Sequence, residues 1–489
     1  MTTQNQDSAP VPDTSLELDG SALRALTHQA LDHIARYLDS LPEQPSWDLE
    51  GAEELARSVI GPLPESGTPA AEVLGELFER YIPKGFNTAG PGYLAYIPGG
   101  GIPSSAVASL ISESVNRYMG VWTAAPALAQ IEAQVVRWFA EIVGYPEGAG
   151  GVLTTGGSLA NFAAVVAARQ RQLGEDPSGG VVYVSNQGHH SLQKAASLAG
   201  IPSAHVRSIP VDDLYRIRVD ALAEAVDRDR AAGLLPFLVC GSAGTTNTGA
   251  IDDLEALADF ASERDLWFHV DAAYGGFFCL TQRGRGLMSG MNRADSITLD
   301  PHKGLFLPYG TGCILARDPA DLRAAHCVEA EYLPQMREEP EFVDFCDISP
   351  ELSRGFRGLK VWLPLRLHGV GPFRANLEEK MDLARWACAE LREVPGLEIV
   401  AEPELSLLAF RLVVDGLTED ETETLNQELL RRVNARRRVY LTTTRLDGRL
   451  VLRICVLSFR THMDRVRECV EALREDAGAL LAELATGAE

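Results

Sequence analysis

Two apolar runs in the 489-residue chain end on groups that need a partner. The run WFHVD (267–271) ends on Asp271, and SITLD (296–300) leads directly into Pro301, His302 and Lys303. A carboxylate at the end of a buried strand requires a charged or hydrogen-bonded partner to offset its desolvation. A lysine amine and a carboxylate projecting from neighbouring strand ends into one crevice is the arrangement that pyridoxal phosphate requires. The amine forms a Schiff base with the cofactor's aldehyde, and the carboxylate keeps the pyridine nitrogen protonated so that the ring accepts electrons. A structural ion pair with an exposed loop lysine is the alternative.

Two further segments supply what such a site lacks. LTTGGSLANFAA (153–164) reads as a strand, two glycines, and a helix opened by Ser158 with Asn161 in its first turn. Glycines let backbone approach an anion, and free N–H groups at a helix start bind phosphate. SNQGHHSLQKAASLAG (185–200) carries two histidines between a strand end and a helix, and His189 is a candidate to stack on a cofactor ring and steer a proton. Chemistry alone does not choose between His189 and His190. The amine has few rivals, because the 44 basic residues are 39 Arg and five Lys: Lys84, Lys194, Lys303, Lys360 and Lys380. Lys84 and Lys380 read as surface positions, and Lys194 and Lys360 as helical or post-loop ones.

The elements that position these groups follow from the pattern. Between about 151 and 317, short β-branched runs alternate with amphipathic stretches, which predicts a mainly parallel sheet covered on both faces, with ligands at the carboxyl ends of strands. Helical spacing from Ser21 and from Pro69 to Tyr81 predicts an N-terminal helical segment, and Gly and Pro crowding predicts an irregular loop over 85–103. Beyond 362, a helix over 370–391 and the runs LEIVAEP, LSLLAFRLVV, RVYLTTT and LVLRICVLSF predict a smaller α+β unit. The expected boundaries are 1–84 for a helical arm, 85–362 for the large domain and 363–489 for the small one.

A net charge of −24 excludes a generic polyanion binder, so nucleic acid and anionic membrane are not expected partners. Eight scattered Cys without a C-x-x-C pair suggest neither a metal site nor a disulfide framework. No run reaches the length of a membrane span, and the first 20 residues lack the features of a signal peptide. A cytoplasmic chain is the expectation.

Taken in order, TTGGSLAN, QGHHSLQKA, GTTNTGAIDDL (244–254), HVDAAYGG and DPHKGLFLPYGTG closely resemble the group II pyridoxal-phosphate-dependent decarboxylases, the family of aromatic-L-amino-acid, tyrosine, histidine and glutamate decarboxylases. The resemblance runs from about Tyr93 into the C-terminal domain. It implies the α/β fold type I of pyridoxal-phosphate-dependent transferases (aspartate aminotransferase-like). It also implies a homodimer whose arm wraps the partner and whose active sites are completed at the interface. Residue by residue, Lys303 is similar to the Schiff-base lysine and Asp271 to the partner of the pyridine nitrogen. His189 resembles the stacking histidine, and Ala273 the small residue on the opposite ring face. Gly157 and Ser158 resemble the phosphate cradle, Thr246 a threonine near the cofactor, and His302 a histidine touching phosphate and substrate.

The implied reaction is decarboxylation of an L-amino acid to an amine and carbon dioxide. Tyr93, Tyr96, Ile97 and Trp122 are expected to line an apolar or aromatic pocket, which favours aromatic or large apolar substrates. The segment 329–362 matches the family's mobile catalytic loop. Phe345 falls near the position of its proton-donating tyrosine, with Tyr332 earlier on the same loop. With Phe345 in that role, the product would be an aldehyde, with ammonia and peroxide. Arg354 and Arg453 are candidate carboxylate clamps, which keeps an aminotransferase open as an alternative.

Overall fold

The computed structural model describes residues 16–327, 339 and 341–486, in two compact units, Met1–Asn87 and Thr88–Glu489. In the first unit, helices span Gly20–Ser40, Ala52–Ser58 and Ala70–Glu76, the last running into a π-helical turn at Leu77–Tyr81. Asp19 starts the first helix by accepting the amides of Ser21 and Ala22 at 2.8 and 2.7 Å. Two short antiparallel strands, β1 (Trp47–Asp48) and β2 (Gly85–Phe86), complete the unit. Leu23, Leu26, Leu31 and Ile34, the apolar stripe of its longest helix, remain exposed.

In the second unit, strands form where the sequence places short runs rich in β-branched residues: β3 (Gly150–Thr154), β4 (Gly180–Ser185), β5 (Val206–Ile209), β6 (Leu235–Ser242), β7 (Trp267–Asp271), β8 (Ser296–Leu299) and β9 (Gly312–Ala316). They make one sheet in the order β3-β9-β8-β7-β6-β4-β5. Neighbours from β8 through β7, β6 and β4 to β5 run parallel, and β9 is antiparallel to both β3 and β8. Successive side chains of β4 enter opposite apolar clusters, Val181 and Tyr183 on one side and Val182 and Val184 on the other. Burial of both faces is what a continuous apolar run requires. Helices Gly157–Leu173, Ser191–Leu198, Val219–Ala231 and Leu254–Glu263 connect the parallel strands.

A second, antiparallel sheet has the order β10 (Leu397–Ala401), β11 (Leu407–Leu412), β13 (Arg449–Cys455), β12 (Thr442–Leu446). Helices Gly371–Arg392, Glu419–Ala435 and Met463–Thr486 share an apolar cluster with it. The expected strand RVYLTTT joins this sheet only from Thr442. Before that, the backbone of Tyr440 bonds to Gly92 and Leu94 instead, in a lone parallel bridge opposite Tyr93. Lys380 also departs from expectation. It is buried, its ammonium donating to the Thr461 carbonyl at 2.6 Å and pairing with Glu379 at 2.7 Å. Among the described residues, no helix is long and apolar enough to cross a membrane.

One buried ion pair ties the segment 345–358 to the sheet. Arg354 pairs with Glu132 of the helix Pro126–Val143, both side chains fully buried, and also donates to the Leu153 carbonyl of β3 at 2.9 Å. The second oxygen of Glu132 accepts the Gly358 amide at 3.0 Å, and the guanidinium lies 4.8 Å from the Phe345 ring centroid. Removing one member of such a pair strands a buried charge. Glu132→Ala is therefore expected to destabilise the fold by ~3–5 kcal/mol in urea unfolding. Glu132→Leu combined with Arg354→Met is expected to recover most of that loss.

Candidate active site

Strand alternation sets the floor of the site. His269 and Asp271 are two residues apart on β7 and share a face, as do Ser296 and Thr298 on β8, and the ladder pairs His269 with Ser296 and Asp271 with Thr298. Asn161, in the first turns of the helix Gly157–Leu173, lies above these four side chains and is buried. Its amide nitrogen donates to Asp271 Oδ2 at 3.0 Å and to Ser191 Oγ at 2.9 Å. Its carbonyl oxygen meets Thr298 Oγ1 at 2.7 Å and His269 Nε2 at 3.0 Å. The other carboxylate oxygen of Asp271 accepts the Ala273 amide at 3.1 Å. Burial pushes His269 down to about 4, so its ring is neutral at physiological pH.

A cavity of about 310 Å³ opens over this floor. Asp271, Ala273, His189, Thr246, Gly157, Ser158, His302 and Lys303 all line it. The helix Gly157–Leu173 starts at one end with no side-chain cap, which leaves a glycine turn facing the cavity. A Cβ on Gly157 would lie 3.0 Å from Asp300 Oδ2 and 3.3 Å from the Ala273 methyl, so the cup is shaped by the absence of a side chain there. Gly244, on the opposite wall, has φ +99°, and a Cβ there would lie 2.8 Å from the Tyr274 ring.

Lys303 sits in the short helix Pro301–Gly304 that follows β8, its ammonium 2.8 Å from Asp300 Oδ2. The Asp300 carboxylate is buried, and its Oδ1 has no hydrogen-bond partner. His302 Nδ1 lies 2.6 Å from the Thr311 carbonyl, which leaves Nε2 toward Asp300 at 3.6 Å. His189 Nδ1 contacts Ser191 Oγ at 2.7 Å, and burial lowers the pKa of the ring against the opposing pull of Asp271. The His190 ring lies beside it at 4.2 Å and is not part of the cavity lining.

The remaining expected residues lie elsewhere. Phe345 is buried in an apolar cluster beneath Arg354 and does not line the cavity. Arg354 is committed to Glu132 and Leu153, so it is no substrate clamp in this arrangement. Arg453 is likewise buried, donating to the carbonyls of Tyr96 at 3.1 Å and Thr246 at 2.6 Å. Tyr96 is half exposed with φ +52°, and the Trp122 ring packs on Phe342 at 4.4 Å. Tyr332 lies outside the described residues.

Sequence reading missed Asp300, and it gave Asn161, Ser191, His269, Ser296 and Thr298 no role. A signal was present: polar residues two apart in otherwise apolar strands, and an acidic residue three before the lysine. The assembled residues fit pyridoxal phosphate. They offer a half-buried carboxylate held by two donors for a ring nitrogen, an amine, and a side-chain-free turn at a helix start for a phosphate.

Comparison with known proteins agrees with this geometry. Residues 61–413 match the family profile described as Pyridoxal-dependent decarboxylase conserved domain. The chain is 33% identical over 467 residues to an aromatic-L-amino-acid decarboxylase of Bacillus atrophaeus, covering 94% of this chain and 97% of that one. It is 30% identical over 481 residues to a phenylacetaldehyde synthase of Arabidopsis thaliana, covering 95% and 97%. A crystal structure of Oryza sativa TDC with PLP and tryptamine superposes with a TM-score of 0.91 at 29% identity, covering 96% of this chain and all of that one.

Gly157→Ala tests the cup directly. The added methyl narrows it against Asp300 and Ala273, and cofactor retention is expected to weaken by about tenfold, the equivalent of ~1.4 kcal/mol. Equilibrium titration of the apoprotein with pyridoxal phosphate measures it, with the melting temperature as the control for folding.

Proposed function

The chain belongs to the pyridoxal-dependent decarboxylase family, a pyridoxal-phosphate-dependent carboxy-lyase, and from that membership we propose that it converts an aromatic L-amino acid to the corresponding amine and carbon dioxide. The observation that carries this reading is the opening of the Lys303 amine and the Asp271 carboxylate into one cavity that ends on an uncapped glycine turn. In this reading Lys303 holds the cofactor covalently and Asp271 pairs with its pyridine nitrogen. His189 and Ala273 bracket the ring, while Gly157, Ser158, His302 and Thr246 surround its phosphate and edge. When bound, pyridoxal phosphate supplies an electron sink for the pair left behind as the carboxylate departs. The chain's residues do the rest: they orient the scissile bond, keep the ring nitrogen protonated, and return one proton to Cα for each carbon dioxide released.

Two facts favour an aromatic substrate and the amine product. Arg354 and Arg453 are both engaged by protein groups, so neither stands ready for a second carboxylate, which counts against an acidic substrate and against the aminotransferase alternative. Tyr93, Tyr96, Ile97 and Trp122, expected as an apolar wall, do not line the cavity, so the aromatic preference rests on the similarity to an aromatic-L-amino-acid decarboxylase. The aldehyde reading depended on Phe345 standing at the proton-donor position. With Phe345 buried under Arg354, Tyr332 is the loop residue we assign as donor, and amine is the product.

We further propose a homodimer, with 1–84 as the arm, 85–362 as the large domain and 363–489 as the small one. On the helix Pro103–Val115, Val107, Leu110, Ile111 and Val115 form an exposed apolar stripe, and the first helix of the arm exposes another. A second copy of this chain is the occupant that would cover both. Eight unpaired cysteines suit a reducing cytoplasm, which is the location we assign.

Incubation of the holoenzyme with L-tryptophan, L-tyrosine and L-phenylalanine is expected to yield amine and carbon dioxide one to one, with no peroxide. Stoichiometric peroxide with aldehyde would overturn the amine reading, and Lys303→Ala is expected to abolish both turnover and the cofactor's visible band. Light scattering is expected to give about twice the 53.0 kDa chain mass, falling toward the monomer in Leu110→Glu/Ile111→Glu.

A further inference from the structure

Beneath the cavity a chain of buried hydrogen bonds runs from Trp267 to His189, and its direction is fixed at two points. The Trp267 indole can only donate, and it does so to Ser296 Oγ at 2.9 Å. The Ser296 hydroxyl hydrogen is then free to point to His269 Nδ1, 2.8 Å away, an arrangement that puts the proton of the neutral His269 ring on Nε2, facing the Asn161 oxygen. The second fixed point is the Asp271 carboxylate, which can only accept. A flipped Asn161 would place its oxygen 3.0 Å from Asp271 Oδ2 with no hydrogen between them. The carboxylate demands this amide orientation and the Trp267 end agrees with it, so Asn161 donates to Asp271 and to Ser191 Oγ at once. Ser191 Oγ, having accepted from Asn161, directs its own hydrogen to His189 Nδ1. The Ser191 backbone N–H also points at Nδ1, but at 3.3 Å it is the longer and weaker contact, and the hydroxyl at 2.7 Å is the group that fixes the tautomer.

We infer that this one-way chain holds His189 as the Nε2–H tautomer and makes Asn161 and Ser191 positioning residues that couple the ring-stacking histidine to the carboxylate beneath the cofactor. The inference rests on the cofactor roles proposed above for His189 and Asp271. Nδ1 is closed to substrate, and Nε2 is the nitrogen through which His189 acts, as a donor. The amide of Asn161 shares its two hydrogens between Asp271 and the route to His189, so a change of charge at one is felt at the other. Asn161, His269, Ser296 and Ser191 are all 3% exposed or less, so water does not substitute for a missing link.

Holoenzyme labelled with ring-15N histidine tests it by solid-state NMR, the difference from His189→Gln isolating the two nitrogens of His189. The expected result is a proton on Nε2 and an unprotonated Nδ1. Ser191→Ala is expected to lose that signature to a mixture of tautomers while keeping the cofactor's visible band. Asn161→Ala is expected to move both the tautomer signature and the pH titration of the band. A proton on Nδ1 in the wild-type enzyme, or a Ser191→Ala spectrum identical to wild type, overturns the inference. Ser191→Ala decides it alone should Asn161→Ala not fold. A wild-type chain that retains no cofactor would instead overturn the roles on which the inference rests.

Discussion

Half-burying the carboxylate of Asp271 at the end of a parallel strand, where it lines the cavity, is the constraint around which the site is organised. A carboxylate there has lost part of its water and is held by donors from the protein, by a cation, or by both. The chain provides two neutral donors, the Asn161 amide and the Ala273 backbone N–H, and among the described residues no arginine or lysine side chain hydrogen-bonds to it. That choice leaves room for a cation supplied by a ligand. A protein cation at the same distance would satisfy the charge permanently and close the site to a protonated ring nitrogen. Neutral donors hold the carboxylate in place without neutralising it.

The same constraint explains the surroundings. Asn161 reaches Asp271 because the helix Gly157–Leu173 begins at the carboxyl end of the sheet, and that same helix start lines one end of the cavity. One element thus positions both the glycine turn and the amide that holds Asp271. The distance between them is set by helix rise and sheet spacing rather than by flexible side chains. Ser242, next along at the end of β6, is held by Asp252, which accepts the Ser242 and Ile217 amides at 2.7 Å each. Burial raises that carboxyl to about 6. The loop after β6, with Thr246 in it, is further tied by Arg453 from the second sheet. The smaller sheet therefore contributes rigidity to the cofactor wall.

Much of this was legible in the residues, for a physical reason. Strands buried on both faces must be apolar and short, so the runs GVLTT, VVYVS, WFHVD and SITLD announced themselves, and the helix expected over 370–391 is found at Gly371–Arg392. What sequence did not reveal depends on partners far away in the chain. Nothing local to Arg354 says that Glu132, 222 residues earlier, will bury it, and nothing local to Phe345 says that this guanidinium will cover its ring. Asn161 was visible as a helix residue but not as a hub, because its four partners come from three different segments. The missed Asp300 is of another kind. It adjoins the motif, and only its burial beside Lys303 distinguishes it from an ordinary strand-ending acid.

The comparison of Lys303 with Lys380 shows what makes a lysine available for covalent chemistry. Both lie inside the fold, so burial alone does not single one out. Lys380 is fully covered, donates to a backbone carbonyl and is paired with Glu379, and a carbonyl cannot be moved or neutralised without breaking the fold around it. Lys303 keeps 23% of its side chain accessible, pairs with Asp300 alone among the described residues, and faces a cavity large enough for a ligand. In the proposed covalent role its ion pair would be given up, and Asp300, also within reach of His302, would take a new donor in place of the ammonium. Arginine could not replace Lys303, because a guanidinium stays protonated and is a poor nucleophile. In a chain that otherwise prefers arginine for its ion pairs, a lysine with one replaceable partner fits the reactive role proposed for it.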